Sequence, residues 1–203
     1  MPKIIGGSLH EHREQVRTRV FDALRNQLYD RGFDAITLAG VAAEAGVGRT
    51  AIYNHFPDKE HLLVAFVEQE AAQYVTRLAE AVAAAPDPVE KLATFVRLQL
   101  RSLADHHLPP GSTLASALAP SSYRRIAAHA DPITDELRGI LAEGVASGVF
   151  PEQDPAIVVP MITGALGARQ VVDVPADELG GAIDTAVAFI LRAVGVKPAG
   201  NQK

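Results

Sequence analysis

The chain has 203 residues, 48% of them hydrophobic and only 5% aromatic, with a formal net charge of −5 and no cysteine. That length accommodates one ordinary domain or a small domain joined to a larger one, with apolar side chains enough for a core. The missing cysteines exclude disulfides, thiolate metal sites and cysteine nucleophiles, and suit the reducing cytoplasm in which the protein is expected to work. Residues 1–9 contain one lysine and no apolar run, so no secretory leader is expected. No stretch approaches the ~18 uninterrupted apolar residues of a membrane helix. Alanine, the best helix former, leads the apolar share, and alternating β-branched runs are scarce; the expectation is an all-α protein.

Ser8 with Glu11 has capping-box spacing and opens a helix in which Val16, Val20, Leu24 and Leu28 form one apolar stripe. Arg13, Glu14, Arg17 and Arg25 fall off it, and Gly32 stops the helix. Thr37 is an N-cap for a second helix, with Leu38, Val41, Ala42 and Ala45 on one face. Gly46-Val47-Gly48 interrupts it after about two turns, Gly46 being needed for a left-handed exit. A short helix resumes at Arg49 and stops before Pro57; Asp58 then caps a long helix over 59–84.

Beyond it, Asp87-Pro88, Asp131-Pro132 and Asp154-Pro155 each read as a helix start. Residues 108–122 read as a loop with at most one short helix. Helices are expected over 155–172, with a kink at Pro160, and over 176–194, with Leu179, Ile183, Val187, Ile190, Leu191 and Val194 on one side. The tail, 197–203, is expected to be disordered.

Two short helices around a glycine-containing turn are the pattern of a helix-turn-helix, in which the second helix enters a major groove of DNA. Val47 and Ile52 would hold the two helices together. Gly48, Arg49, Thr50 and Ala51 open the second helix toward base edges; Arg reads guanine and Thr meets a thymine methyl or bonds a base. Tyr53, Asn54 and His55 suit phosphates or a solvated face, with a core position the alternative for Tyr53. Thr37 can add a contact at the start of the first motif helix. Lys59 has the wrong sign for the first turn of a helix unless it faces a phosphate. Residues 1–60 carry eight Lys or Arg and eight Asp or Glu, so a neutral front precedes a body that carries all the negative charge. DNA binding needs a local basic surface rather than a basic chain.

The run Ile36-Thr37-Leu38, Val41-Ala42-Ala43-Glu44-Ala45-Gly46-Val47 and Thr50-Ala51-Ile52-Tyr53-Asn54-His55-Phe56-Pro57-Asp58-Lys59-Glu60-His61-Leu62 resembles the DNA-binding domain of the TetR (tetracycline-repressor) family. The resemblance covers 14–67 and includes Gly32-Phe33. It departs at Gly48, where Ser or Thr is usual, so the recognition helix lacks a side-chain cap, and at Thr50, where Gly or Ala is common. It implies a ligand-responsive transcriptional regulator, most often a repressor, acting as a homodimer on a palindromic double-stranded DNA operator. It further implies a helix-turn-helix domain over 8–57 and a helical effector-binding and dimerisation domain over 58–196. In such proteins the last two long helices pair with their copies in a four-helix bundle, and Gly164, Ala165, Gly167 and Ala168 would allow close packing there. Effector binding shifts the long fourth helix and so changes the spacing of the two reading heads.

Candidates for the effector pocket are Phe66, Phe95, Arg97, Gln99, Arg101, His106, Tyr123, Met161 and Gln170. Arg97, Gln99, Arg101 and His106 form either a polar cluster for an anionic ligand or a solvated helix face. Phe66, Phe95 and Met161 are pocket wall or core. Tyr123 and His129 line a pocket or cap the loop; Arg169 and Gln170 suit the dipole at the end of their helix or are interface or pocket residues. Adjacent His106 and His107 point apart on a helix and gain no carboxylate at ligand spacing, so no metal or other cofactor is expected. With no G-x-S-x-G elbow, P-loop or G-x-G-x-x-G, no enzyme is expected either. The competing function is a helical interaction adaptor that has lost DNA binding.

Overall fold

The computed structural model describes residues 9–106, 118–167 and 173–196. Among them there is no strand. The helices are α1 (Leu9–Arg31), α2 (Leu38–Glu44), α3 (Arg49–His55), α4 (Lys59–Ala84), α5 (Pro88–His106), α6 (Pro120–Ala127), α7 (Ala130–Ala146), α8 (Pro155–Leu166) and α9 (Leu179–Ala193), with a short 3-10 turn at Phe33–Ala35. No helix of the described residues is long and apolar enough to cross a membrane.

The chain divides into two compact units, residues 1–69 with 106–126, and residues 70–105 with 127–203. In the first, the expected stripe Val16, Val20, Leu24 and Leu28 is buried against Leu38, Val41, Ala42 and Ala45 of α2 and Ile52 of α3. Burying a Leu, Val or Ile side chain is worth ~1.5–3 kcal/mol, so these residues alone account for much of the unit's cohesion. Phe21 meets Phe66 edge-on at 5.6 Å and Phe56 at 6.1 Å, closing the core where α4 begins. The segment after residue 117 packs onto this unit as well. Leu118 is buried in its core, and Tyr123 and Ile126 lie against it. The Ala119 amide donates to Glu60 Oε1 at 3.2 Å, and Arg125 Nε to Glu68 Oε1 at 3.0 Å.

In the second unit, α5, α7, α8 and α9 enclose Leu92, Phe95, Val96, Leu100, Leu137, Ile140, Val159, Ile162, Ile183, Val187 and Ile190, together with Tyr74, Leu78 and Val82 of α4. Asp87 Oδ1 accepts from the amides of Val89 and Glu90, and Asp154 Oδ1 from Ala156, so two of the three Asp-Pro pairs cap helices as expected. The third does not. α7 starts at Ala130, with His129 at the cap position and no side-chain bond, which puts Asp131 and Pro132 inside its first turn. There Pro132 forfeits only an amide that has no intrahelical partner, and Asp131 still opposes the helix dipole favourably. Pro160 lies within α8, which runs through it as one helix. The last helix opens at Leu179, three residues later than expected, because 176–178 form a turn. The residues expected to form a disordered tail lie outside the described residues.

Tyr74 is buried, and its hydroxyl donates to Gln99 Oε1 at 2.6 Å, joining α4 to α5. Burial pushes its phenol well above the usual range, with a small opposing effect of Arg77. Lys91 Nζ meets Glu143 at 2.7 Å and ties α5 to α7. α7 ends at Ser147 on Gly148, at φ +73, and the chain doubles back so that the Phe150 amide donates to Gly144 O at 2.9 Å. The Phe150 ring then lies where a Gly144 Cβ would be. Gly144→Ala is therefore expected to cost about 1–3 kcal/mol by overpacking, read as a lower urea midpoint with unchanged slope.

Candidate nucleic-acid interface

The reading head is assembled from local chemistry. Thr37, in extended conformation, accepts the Gly40 amide on its Oγ1 at 3.1 Å and starts α2. Glu44 near the other end of α2 accepts from Asn26 at 3.1 Å and from Gln27 at 2.8 Å, fixing α2 along α1. Gly46 then takes φ +63. Its amide donates to Ala43 O at 3.3 Å and that of Val47 to Ala42 O at 2.9 Å, a Schellman termination that satisfies two orphan carbonyls. Val47 turns into the core cluster beside buried Ala42.

Gly48 opens α3 at φ −59 and ψ 141 with no side-chain cap, as its lack of a side chain requires. Ile52 is fully buried and Phe56 nearly so, four residues apart on one face. That fixes the rotation of α3. Arg49, Thr50, Asn54 and His55 are left exposed, and Tyr53, at 45% exposure, stands in solvent rather than in the core. Arg49 and Tyr53 lie one turn apart, as do Thr50 and Asn54, so four of the expected DNA residues share one outward surface. Arg49 makes no hydrogen bond or ion pair among the described residues.

α4 begins at the edge of this surface. Asp58 Oδ1 accepts the His61 amide at 2.9 Å and faces His61 Nδ1 at 2.9 Å. The amide bond is the main cause holding the Asp58 carboxyl below its ordinary value. Lys59 has an intramolecular answer to its unfavourable place at the helix start. Its Nζ donates to Phe33 O at 3.2 Å and to Asp34 O at 3.1 Å, 4.6 Å above the Phe33 ring. The dipole argument thus needs no phosphate, although an ammonium has three donors and one remains. Gly32, at φ +70, is what brings Phe33 under Lys59 after α1.

The described residues expected at an effector pocket are distributed over both units. Phe66 is in the core of the first unit, with Tyr123 packed against that core; Phe95 is in the core of the second. Arg97 is half-buried, 3.6 Å from Glu90, and Arg101 is exposed. Gln99 is taken up by Tyr74. Met161 was expected as pocket wall or core and is instead 68% exposed on α8, because its helix turns Val159, Ile162 and Leu166 inward. Gln170 and Arg169 lie outside the described residues, as does the side chain of His106.

The second unit holds a cleft of about 630 Å³ that none of those residues lines. Its wall includes Leu166, Ala182, Ala186, Phe189, Ile190 and Arg192. Ala182, Thr185, Ala186 and Phe189 have helical i, i+3, i+4, i+7 spacing, a second stripe on α9 beside the larger Ile183, Val187 and Ile190. That signal is in the sequence but is masked by the bulkier stripe.

An exposed, unpaired Arg-Thr-x-x-Tyr-Asn face on the second helix of a tightly bonded helix-turn-helix defines a DNA-binding protein. Residues 20–66 match the family described as bacterial regulatory proteins, tetR family, and residues 85–169 match the tetracyclin repressor-like C-terminal domain. The chain belongs to the TetR family and is a DNA-binding transcriptional regulator. It is 27% identical to the fatty acid metabolism regulator protein of Bacillus subtilis over 151 residues, which cover 73% of this chain and 78% of that one. Its fold is similar to that of the fatty acid degradation regulator FadR from Bacillus halodurans, with a TM-score of 0.74 at 23% identity, over 90% of this chain and 97% of that one. The structure of FadR from Bacillus subtilis in complex with stearoyl-CoA is also similar, with a TM-score of 0.70 at 21% identity, over 89% and 99%.

Two consequences follow for the head. Gly46→Ala forces an alanine into left-handed backbone and is expected to cost about 1–2 kcal/mol, with Gly46→Asn milder, by denaturant unfolding. Asp58→Ala removes the α4 cap and is expected to cost about 1 kcal/mol at neutral pH. Because the folded-state Asp58 value is lowered, its contribution is complete above the ordinary value of 3.8 and disappears as pH falls through the folded one. The difference between wild type and Asp58→Ala should therefore close in acid unfolding series below about pH 4.

Proposed function

We propose that this regulator is a homodimeric repressor that leaves a palindromic operator when a small apolar effector binds. The observation that carries the reading is the α3 face: Arg49, Thr50, Tyr53 and Asn54 point outward while Ile52 anchors the helix. Arg49 and Thr50 read base edges. Tyr53, Asn54, His55, Thr37 and the remaining donor of Lys59 meet phosphates, which position the protein without reading sequence. Gly48 lets the backbone come close to the DNA, since nothing surrounds its Cα on the outer side.

The dimer forms through α8 and α9. Ile157, Met161 and Phe189 are 59%, 68% and 54% exposed there, and large apolar side chains on a two-helix face favour burial against a copy. Gly164, with open space about it, permits close approach. Two recognition helices then stand ~34–36 Å apart, or a multiple of that, and read a roughly two-fold site. The apolar cleft beside α9 supports a greasy effector. A regulator 27% identical to this chain governs fatty acid metabolism, and FadR from Bacillus subtilis has been solved with stearoyl-CoA. A long-chain acyl-CoA is thus the first effector class to test. To act as a switch it must prefer the non-binding conformer by ~1–3 kcal/mol.

The test is fluorescence anisotropy of the full chain with the DNA flanking its own gene and with random duplex, with particle mass by light scattering. Selective, salt-dependent binding by a dimer, released by stearoyl-CoA, is expected; a monomer, or equal affinity for both duplexes wherever genome-wide selection is made, would remove the reading. Arg49→Ala should weaken operator binding by about 1–3 kcal/mol and random-duplex binding far less.

A further inference from the structure

Arg19 lies on α1, outside the motif and outside the face of α3, yet its guanidinium reaches the α2–α3 turn. A Cβ built on Gly46 would lie 3.9 Å from Arg19 Nη1. Arg19 is exposed and makes no hydrogen bond or ion pair among the described residues. Two neighbouring acids are already engaged: Asp22 holds Arg25 at 2.8 Å, and Glu44 accepts from Asn26 and Gln27. The carbonyl end of α2 offers Arg19 an alternative, since α2 has no basic residue in its last turn. Yet Ala42 and Ala43 accept the amides of Val47 and Gly46, and Arg19 donates to neither.

An arginine held beside the reading turn without an anion, in a chain whose net charge is −5, has an unfilled requirement for negative charge. The turn leads directly into the exposed start of α3. A duplex whose groove receives Arg49 brings its phosphate backbone alongside the elements flanking that helix. Guanidinium matches a phosphate bidentately, and its charge is delocalised enough to shed water at modest cost. We propose that Arg19 is a phosphate-contacting residue that seats the α2–α3 turn on the DNA backbone. This rests on the DNA-binding reading above. It adds a cation from α1 to a contact set otherwise drawn from the motif and the start of α4, and its contribution is the same for every DNA sequence.

The experiment compares the full-length wild type with Arg19→Ala and Arg19→Lys on a mixed-sequence duplex across a salt series, with thermal unfolding of each protein. Arg19→Ala is expected to weaken binding about tenfold at the lowest salt and to reduce the slope of log affinity against log salt by about one unit. Arg19→Lys should restore most of that slope, and the unfolding midpoint should stay the same in both. An unchanged slope in Arg19→Ala overturns the proposal. So does a lowered midpoint in Arg19→Ala that Arg19→Lys repairs without restoring the slope, which assigns Arg19 to the end of α2. If the wild type binds no duplex at any salt, the DNA-binding reading itself fails, a result separate from failure at Arg19 alone.

Discussion

The reading head depends on one backbone conformation, the left-handed Gly46 at φ +63. It lets α2 stop with its last carbonyls satisfied, sends Val47 back into the core and leaves Gly48 extended for α3 to start. Only then can Ile52 reach full burial, and the burial of Ile52 decides which residues of α3 face outward. A side chain at position 46 would charge this arrangement the energy of left-handed backbone. The outward face of α3 is thus a consequence of the turn that precedes it.

A second constraint fixes α4. Gly32 turns the chain after α1, Phe33 comes to lie beneath Lys59, and the carbonyls of Phe33 and Asp34 accept the ammonium. A cation at a helix N-terminus is thereby neutralised by carbonyl dipoles and an aromatic face rather than by solvent. Asp58 supplies the matching cap one residue earlier. The first turn of α4 is therefore pinned to the segment that follows α1, with the Lys59 ammonium held by two backbone carbonyls.

In the second unit two polar pairs join helices. Tyr74 and Gln99 satisfy each other between α4 and α5, and Lys91 with Glu143 joins α5 to α7. Gln99 and Lys91 of α5 are thereby committed to structure. The cleft is lined by small side chains of α9 and by Phe189. A wall of Ala182, Thr185 and Ala186 leaves room because those side chains are short, which is how an apolar helix acquires a groove without losing its own packing face.

Much of this was legible in the residues. Helix periodicity, Thr37 and Asp58 as caps, the Gly46 exit and the outward set Arg49, Thr50 and Asn54 follow from local rules: capping, left-handed glycine and a 3.6-residue period act within a few positions. These also define the TetR-type motif. Tertiary structure alone decided the rest, because it concerns groups distant in the chain. Lys59 meets carbonyls 25 and 26 positions away, Arg19 reaches Gly46, Gln99 is claimed by Tyr74, and the segment from Leu118 joins the N-terminal unit. Met161 faces solvent although its hydropathy suggests an interior, since only the packing of α8 sets which side is buried. Local chemistry determined where helices begin, end and turn; long-range packing determined which of their side chains were left free to bind.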